Sequence, residues 1–282
     1  MLETGGNRGF SVACNRGAAS ATGELLCFLN PDAVPQPGWR EAIVAPHEAG
    51  EWAAWQGLVT AEHGSVINTA GGVVHFTGIA WAGRAGEPVG DIDDAEPGFV
   101  SGACLAVPRQ AFEEVGMFPE EFFLYHEDVD LSLRLRLAGG ALGVAADARV
   151  DHDYEFDKGP EKWRYLERNR WSTVIRTYPG PLLLAVFPAL VATEFALVPV
   201  ALAGGWFGQQ IRAKLDVLRW LPRLIQERRE IRTRRTISAR EFAAGLTAGL
   251  DSPFLGAVGR SGLVRRLLAG YWRLALGLLG RG

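Results

Sequence analysis

Cysteine is scarce in this chain. Cys14, Cys27 and Cys104 are the only three among 282 residues, and no two form a Cys-x-x-Cys pair. An odd number of well-separated thiols in apolar or small-residue surroundings excludes a disulfide-stapled fold and offers no zinc or redox motif. They read as reduced cytosolic thiols. Histidine is also thin. His47, His63, His75 and His126 stand at no ligand-like spacing, which removes the histidine-rich cluster expected of a metal-dependent hydrolase. The early glycines are followed by no Gly-Lys-Ser or Gly-Lys-Thr and preceded by no strand. They are neither a phosphate loop nor a dinucleotide fingerprint. The opening Met1-Leu2-Glu3-Thr4-Gly5-Gly6 lacks both a basic and an apolar stretch, so no signal peptide is expected.

Negative charge is scarce in the tail as well. From Trp206 to Gly282 there are 15 Lys and Arg against 5 Asp and Glu, so the net −3 of the chain divides into +10 for this tail and −13 for the rest. An acidic body argues against nucleic-acid binding. A basic tail calls for an anionic surface, with membrane phospholipid the leading candidate. Between body and tail, residues 181–205 carry Glu194 as their only charge and prolines at 181, 188 and 199. That length suits a bilayer span or a helix buried in a soluble core. Beyond it, Ile211, Leu215, Leu218, Pro222 and Ile225 alternate with Arg212, Lys214, Arg219 and Arg223, an amphipathic basic pattern that suits a membrane surface. Leu263–Leu279 contains three arginines and makes a weak second span.

The first 178 residues read as alternating strands and helices, an α/β sheet protein. Residues 5–17 read as loop, passing into a small-residue helix at Ala18–Gly23. Leu25–Leu29 has buried-strand length. A helix is expected after Gly38 to about His47, strands and turns over 52–82, and a mobile Gly-rich loop over 83–98. A further strand is expected over Phe99–Val107, and a helix from Pro108 to about Gly116. Residues 141–150 read as a strand pair that delivers Asp151-His152-Asp153 at its end.

Two acidic sites carry the chemistry. Phe28-Leu29-Asn30-Pro31-Asp32 is an apolar strand ending in one aspartate at a proline-bounded turn. Glu127, Asp128 and Asp130 fall within four positions at the start of a helical pattern. Acids there can simply complement a helix N-terminus, with Asp130 pairing Arg134 one turn on. Two such sites about a hundred residues apart also suit a pocket that binds a metal diphosphate and activates a hydroxyl. Trp163, Arg164, Arg168, Asn169 and Arg170 form a basic aromatic segment that either closes over phosphates or makes a solvated helix face.

Taken in order, Gly6-Asn7-Arg8-Gly9-Phe10, Asn15-Arg16-Gly17, Leu29-Asn30-Pro31-Asp32, Ser101-Gly102-Ala103-Cys104 and Phe123-Leu124-Tyr125-His126-Glu127-Asp128-Val129-Asp130 resemble the inverting family-2 glycosyltransferases of GT-A fold, in particular their rhamnosyltransferase-like branch. The resemblance covers about residues 5–178 and departs from the pattern in three places. The chain starts at the Asn7-Arg8-Gly9-Phe10 element, so the nucleotide-binding βαβ unit that opens such enzymes is expected to be absent; Asn30 stands where a second acid is common, and Gly116-Met117-Phe118-Pro119 replaces Gly-Gly-Phe-Asp.

The resemblance implies a GT-A-like mixed sheet flanked by helices, N-terminally incomplete, over residues 1–178. A hydrophobic segment (179–208) and a basic helical tail (209–282) would follow. It further implies transfer of a sugar from a uridine or thymidine diphosphate donor to a hydroxyl of a lipid-linked or cell-envelope glycan. Asp128 matches the catalytic base, and Asp32 with His152 the site for Mn²⁺ or Mg²⁺. Asn7, Asn15, Asn30 and Asp32 match donor contacts; Gly102 and Glu127 match acceptor contacts. Use of a nucleotide-activated donor places the body on the cytoplasmic face of the membrane. A single span would put the basic tail across from that body, against the positive-inside rule, so an in-plane or re-entrant segment is expected. The rival expectation is a catalytically inactive remnant that binds membrane and partners.

Overall fold

The computed structural model describes residues 2–92, 95–153, 159–250 and 261–280. The chain divides into two compact units, residues 1–73 with 80–155, and residues 74–79 with 156–282. This division falls before the expected boundary at 178, because helix 161–177 groups with the helices that follow it.

The first unit is built on a mixed sheet. Its strands are β1 (Leu25–Leu29), β2 (Val34–Pro35), β3 (Ala54–Ala61), β4 (Val66–Thr69), β7 (Cys104–Pro108) and β8 (Leu142–Asp151). The order is β1-β7-β3-β8-β2, with β4 pairing the far end of β3. β3 and β8 are parallel, and β7 is antiparallel to both β3 and β1, so β1, β3 and β8 run the same way. A separate two-stranded ribbon, β5 (Gly72–Val74) and β6 (Ala80–Ala82), leads to a tip that belongs to the second unit.

Strand alternation assigns the two sheet faces. Leu26, Phe28, Leu105 and Val107 point to one side, where they meet α4 through Leu131 and Leu135. Cys104, Ala106, Val59 and Val150 point to the other, against Ile43 of α2. These helices are α1 (Phe10–Ser20), α2 (Trp39–Ala49), α3 (Arg109–Glu114) and α4 (Glu127–Leu137). Phe28, Phe112 and Phe118 lock the first face, with ring centroids 5.1–5.3 Å apart. Aromatic pairs in such geometry add to simple area burial.

Three local expectations differ from the structure. Helix α1 starts at Phe10, so most of the segment read as loop is helical. Residues 142–151 are one strand rather than a pair. Its register against β3 jumps between Gly57 and Leu58, and the bulge presses inward there: a Cβ on Gly57 would lie 2.3 Å from the Ala148 carbonyl. The loop after β6 is tied along β4 through Ile67 N–H to Glu87 O and Val89 N–H to Ser65 O.

The second unit is helical: α5 (Glu161–Thr177), α6 (Gly180–Ala203), α7 (Phe207–Thr233), α8 (Ala239–Ala244) and α9 (Gly262–Leu278). The basic aromatic stretch on α5 neither lines a solvated face nor presents free cations. Arg170 is buried between Glu167 and Glu194 and also donates to the Thr77 carbonyl. Arg164 pairs Asp216 of α7 at 2.8 Å, and Arg168 sits over the Trp220 ring. Glu167 is burdened by burial, but Arg170 and Lys214 more than offset this and hold its carboxyl down at about 2.

Candidate active site

The carboxyl ends of co-directional strands are where open α/β sheets collect ligands. Here they collect the predicted residues. β1 ends at Leu29, and the chain turns through Asn30-Pro31-Asp32, with Ala33 N–H bonding the Asn30 carbonyl. It then pairs as β2 with the end of β8, Val34 opposite Asp151. That strap brings Asp32 Oδ1 to 3.1 Å from His152 Nε2. The two residues lie 120 positions apart in the chain and were expected to share a cation. His152 is buried, whereas Asp32 is 63% exposed at its side chain.

The whole strand end around His152 is fastened. Asp151 accepts from Thr60 Oγ1 and Gly64 N, and Asp153 accepts from Glu62 N. The His152 carbonyl accepts from Asn68, and its N–H donates to Thr60 O. Among the described residues no group of three or more His, Cys, Asp or Glu could hold a metal. One exposed carboxylate facing one imidazole nitrogen fits two positions of a divalent coordination sphere, the remainder being left to oxygens from outside the protein.

The second acidic site is built from a strained loop. Phe123, Tyr125 and His126 all have positive φ, between 64° and 70°, immediately before α4. Non-glycine residues seldom adopt this region, and such strain gathers at functional sites. The Gly9-Phe10 element braces the loop from beneath. Phe10 N–H donates to the Phe123 carbonyl at 2.7 Å, and a Cβ on Gly9 would fall 2.4 Å from that oxygen. The loop delivers Asp128 in the first turn of α4. Its Oδ2 accepts from Gly102 N at 3.0 Å and its Oδ1 from Val129 N at 2.8 Å. Each oxygen is anchored once and keeps lone pairs for a further proton donor.

The segment 100–104 meets this carboxylate with every amide assigned. Val100 N–H donates to Ser132 Oγ, Ser101 N–H to Gln56 Oε1, Gly102 N–H to Asp128, Ala103 N–H to Ser101 Oγ and Cys104 N–H to the Ser101 carbonyl. The Ala103 carbonyl accepts from Asn30 N–H. Gly102-Ala103 therefore joins Asp128 to the Asp32 turn.

Electrostatics divides the two neighbouring acids. Burial raises the pKa of Glu127 well above the usual carboxylate value, and the charge of Asp128 adds to this. Its Oε2 is buried with no hydrogen-bond partner among the described residues. Burial raises Asp128 too, but the Gly102 and Val129 amides oppose it. Glu127 is therefore the harder of the two to ionise and Asp128 the easier, a difference set by their environments. Burial, with Glu127 nearby, also pushes the Cys14 thiol up to about 12, so it remains an unreactive thiol.

Two of the asparagines of the resemblance, Asn15 and Asn7, make bonds within the fold. Asn15 is buried, with its amide donating to Phe118 O and accepting from Phe118 N. The exposed Asn7 accepts from Gly9 N and closes the turn before α1. Asp130 is fully buried and paired to Arg134 at 2.7 Å, so the helix-pair expectation holds for this third acid.

One residue escaped the sequence reading. Gln56 is fully buried in β3, where that strand changes partner from β7 to β4. Besides holding Ser101, it donates to the carbonyls of Gly57 and Thr69. The signal was a lone amide inside the apolar run Ala54-Trp55-Gln56-Gly57-Leu58-Val59. Gln56→Met is expected to lower stability by about 1–3 kcal/mol, since it leaves buried backbone groups unpaired. Urea unfolding measures this loss. The same variant loosens Ser101-Gly102 and should shift the acid limb of activity to higher pH, as the Gly102 amide moves off Asp128.

Comparison with known proteins follows this geometry. Residues 1–116 match the model of Glycosyl transferase family 2, and residues 91–223 match that of Glycosyl transferase family group 2. Over residues 1–116 the chain is thus similar to that family, and the first unit carries a mixed sheet flanked by helices. A relative from Mycobacterium tuberculosis, the N-acetylglucosaminyl-diphospho-decaprenol L-rhamnosyltransferase, is 31% identical over 203 residues, or 62% of this chain. The match spans 65% of that relative's length. The O-antigen biosynthesis protein RfbC of Myxococcus xanthus is 34% identical over 147 residues, covering 49% of this chain and 12% of that protein. A crystal structure of GalNAc-T7 with UDP, GalNAc and Mn²⁺ has a TM-score of 0.49 and 16% identity, covering 65% of this chain and 38% of that one.

Proposed function

We propose that this protein is an inverting, metal-dependent glycosyltransferase. In this reading it moves a sugar from a uridine or thymidine diphosphate donor to a hydroxyl of a lipid-linked or cell-envelope glycan, at the cytoplasmic face of the membrane. The observation that carries the reading is Asp128. It is an ionisable carboxylate held by two backbone amides in the first turn of α4, just after a strained loop, and Gly102-Ala103 links it to the Asp32–His152 pair. The acceptor class is supported by the Mycobacterium tuberculosis and Myxococcus xanthus relatives, whose names specify a decaprenol-linked sugar and O-antigen biosynthesis.

In the reaction the acceptor hydroxyl gives its proton to Asp128. Its oxygen forms a bond to the anomeric carbon on the face opposite the diphosphate, and the carbon–oxygen bond to the diphosphate breaks with its electron pair leaving on the phosphate oxygen. A carboxylate is well suited to this because geometry matters more than basicity. Glu127, still protonated, would donate a hydrogen bond to the acceptor. Asp32 and His152 would hold a divalent cation, which would offset charge developing on the leaving diphosphate.

The test measures nucleotide release from a panel of nucleotide sugars with a polyprenyl-diphosphate-linked sugar acceptor, with Mn²⁺ or Mg²⁺ added. Release that requires both acceptor and cation is expected. Asp32→Ala and His152→Ala should each weaken cation-dependent donor binding, read as heat on titration. Asp32→Ala should have the larger effect, because a carboxylate contributes charge as well as a lone pair. An unchanged cation requirement in both variants would show that neither is a ligand. Failure of the wild-type protein with every donor would favour an inactive, membrane-bound relative of the transferases.

A further inference from the structure

We propose that the outward faces of α6, α7 and α9 seat in the plane of an anionic phospholipid bilayer without crossing it. This rests on the second unit alone and deepens the membrane location proposed above.

Helix α6 is long and apolar enough to span a membrane, yet only 17% of its most apolar stretch is buried. Its two faces differ. Leu182, Val186, Leu190 and Ala201 are fully buried, while Leu184, Phe187, Phe195 and Leu202 are 53–78% exposed. Exposed apolar surface on this scale marks an interaction site. The one charge, Glu194, turns inward to Arg170, Lys214 and the Trp171 indole.

Three features set the helix in the plane. Its inner side is tied to the charged helices α5 and α7, and a crossing would carry Arg170, Glu167 and Lys214 toward hydrocarbon, where ionised groups are costly. Pro188 and Pro199 withhold the amides that would bond the carbonyls of Leu184 and Phe195, two residues exposed on the outer face. Water and headgroups can serve those carbonyls at an interface, whereas lipid tails cannot. The neighbouring helices repeat the pattern. Leu215 and Leu218 on α7, and Leu267 and Leu274 on α9, are exposed at helical spacing.

Charge selects the occupant. Arg212 and Arg219 flank the α7 stripe, and Arg266 and Arg273 flank that of α9, all exposed. Helix α9 holds three arginines and no carboxylate. Apolar stripes bordered by arginine fit the boundary between acyl chains and anionic headgroups.

The experiment floats the full-length protein with vesicles of phosphatidylcholine alone, and of phosphatidylcholine and phosphatidylglycerol in equal parts. Neither donor nor acceptor is added, so the outcome is separate from the transferase test. Strong binding to the anionic vesicles and weak binding to the neutral ones is expected. Arg266→Gln and Arg273→Gln should each weaken binding about fivefold. The double variant Phe187→Ser/Phe195→Ser should weaken it at least about tenfold, with an unchanged circular dichroism spectrum. Protease added outside the vesicles should cut the first unit no less with intact vesicles than after detergent. Protection of the first unit that detergent abolishes means that α6 crosses, and overturns the in-plane seating. Equal binding to neutral vesicles overturns the selection by charge. A stable dimer by light scattering, without vesicle binding, would assign the face to a second copy of the chain and overturn the proposal.

Discussion

Asp128→Asn is expected to lower turnover by roughly a hundredfold or more while leaving donor binding nearly intact. The amide keeps the size of the carboxylate, and its one oxygen can still accept from either Gly102 N or Val129 N, which in the carboxylate each hold a different oxygen at 3.0 Å and 2.8 Å. It cannot take the acceptor's proton. Single-turnover rates, with donor affinity measured separately, divide these effects. Near-normal turnover in a folded variant would move the base to Glu127. The wild-type rate should rise with pH along a limb above the ordinary carboxylate range, because burial raises the Asp128 pKa and only its ionised form is active. Stability follows the opposite sign. A carboxyl whose folded pKa is raised contributes stability that is fully present below its unfolded pKa and is lost as pH rises through the folded one. Glu127 and Asp128 therefore work against stability at the pH where the base works best, and Glu127→Gln should lessen that loss.

Arg134→Met is expected to cost about 3–5 kcal/mol of stability, the range for breaking a buried ion pair from one side. Arg134 and Asp130 are both almost fully buried, and their 2.7 Å contact is one of several the guanidinium makes. Arg134 also donates to the carbonyls of Val115 and Met117, fastening the turn between α3 and the strained loop. Its removal deprives a buried carboxylate of its cation and two carbonyls of a donor. Denaturant unfolding measures the loss. Asp130→Asn combined with Arg134→Met should recover part of it, since a neutral amide is cheaper to bury than a carboxylate without its cation. A cost within about 0.5 kcal/mol, as at an ordinary surface site, would mean that the pair does not hold this turn.

Local pattern carried much of the fold. The strand Leu25–Leu29, the helix opening at Glu127 and the strand end that delivers His152 were all legible, because apolar period and chain punctuation are properties of neighbouring residues. The errors arose where small or polar residues blurred the period. Ala13-Cys14-Asn15-Arg16-Gly17 has little helical signature of its own, yet it lies inside α1. Asn15 is held there by Phe118, 103 residues away.

The sequence by itself determined which side chains were available for chemistry: an aspartate after an apolar strand, three acids opening a helix, and an apolar segment joined to a basic tail. Tertiary structure decided what each does. Sheet order brought Asp32 to His152, placed Gln56 behind Ser101, and separated Asp128, anchored by two amides, from Glu127, buried with one oxygen unpartnered among the described residues. It also turned the α5 cations inward to Glu167, Glu194 and Asp216, where sequence left them equally able to meet phosphates or water. The reason is physical. Helix and strand periods act over a few residues, whereas burial, ion pairing and carboxylate ionisation depend on partners that only the assembled sheet and packed helices bring within a few ångströms.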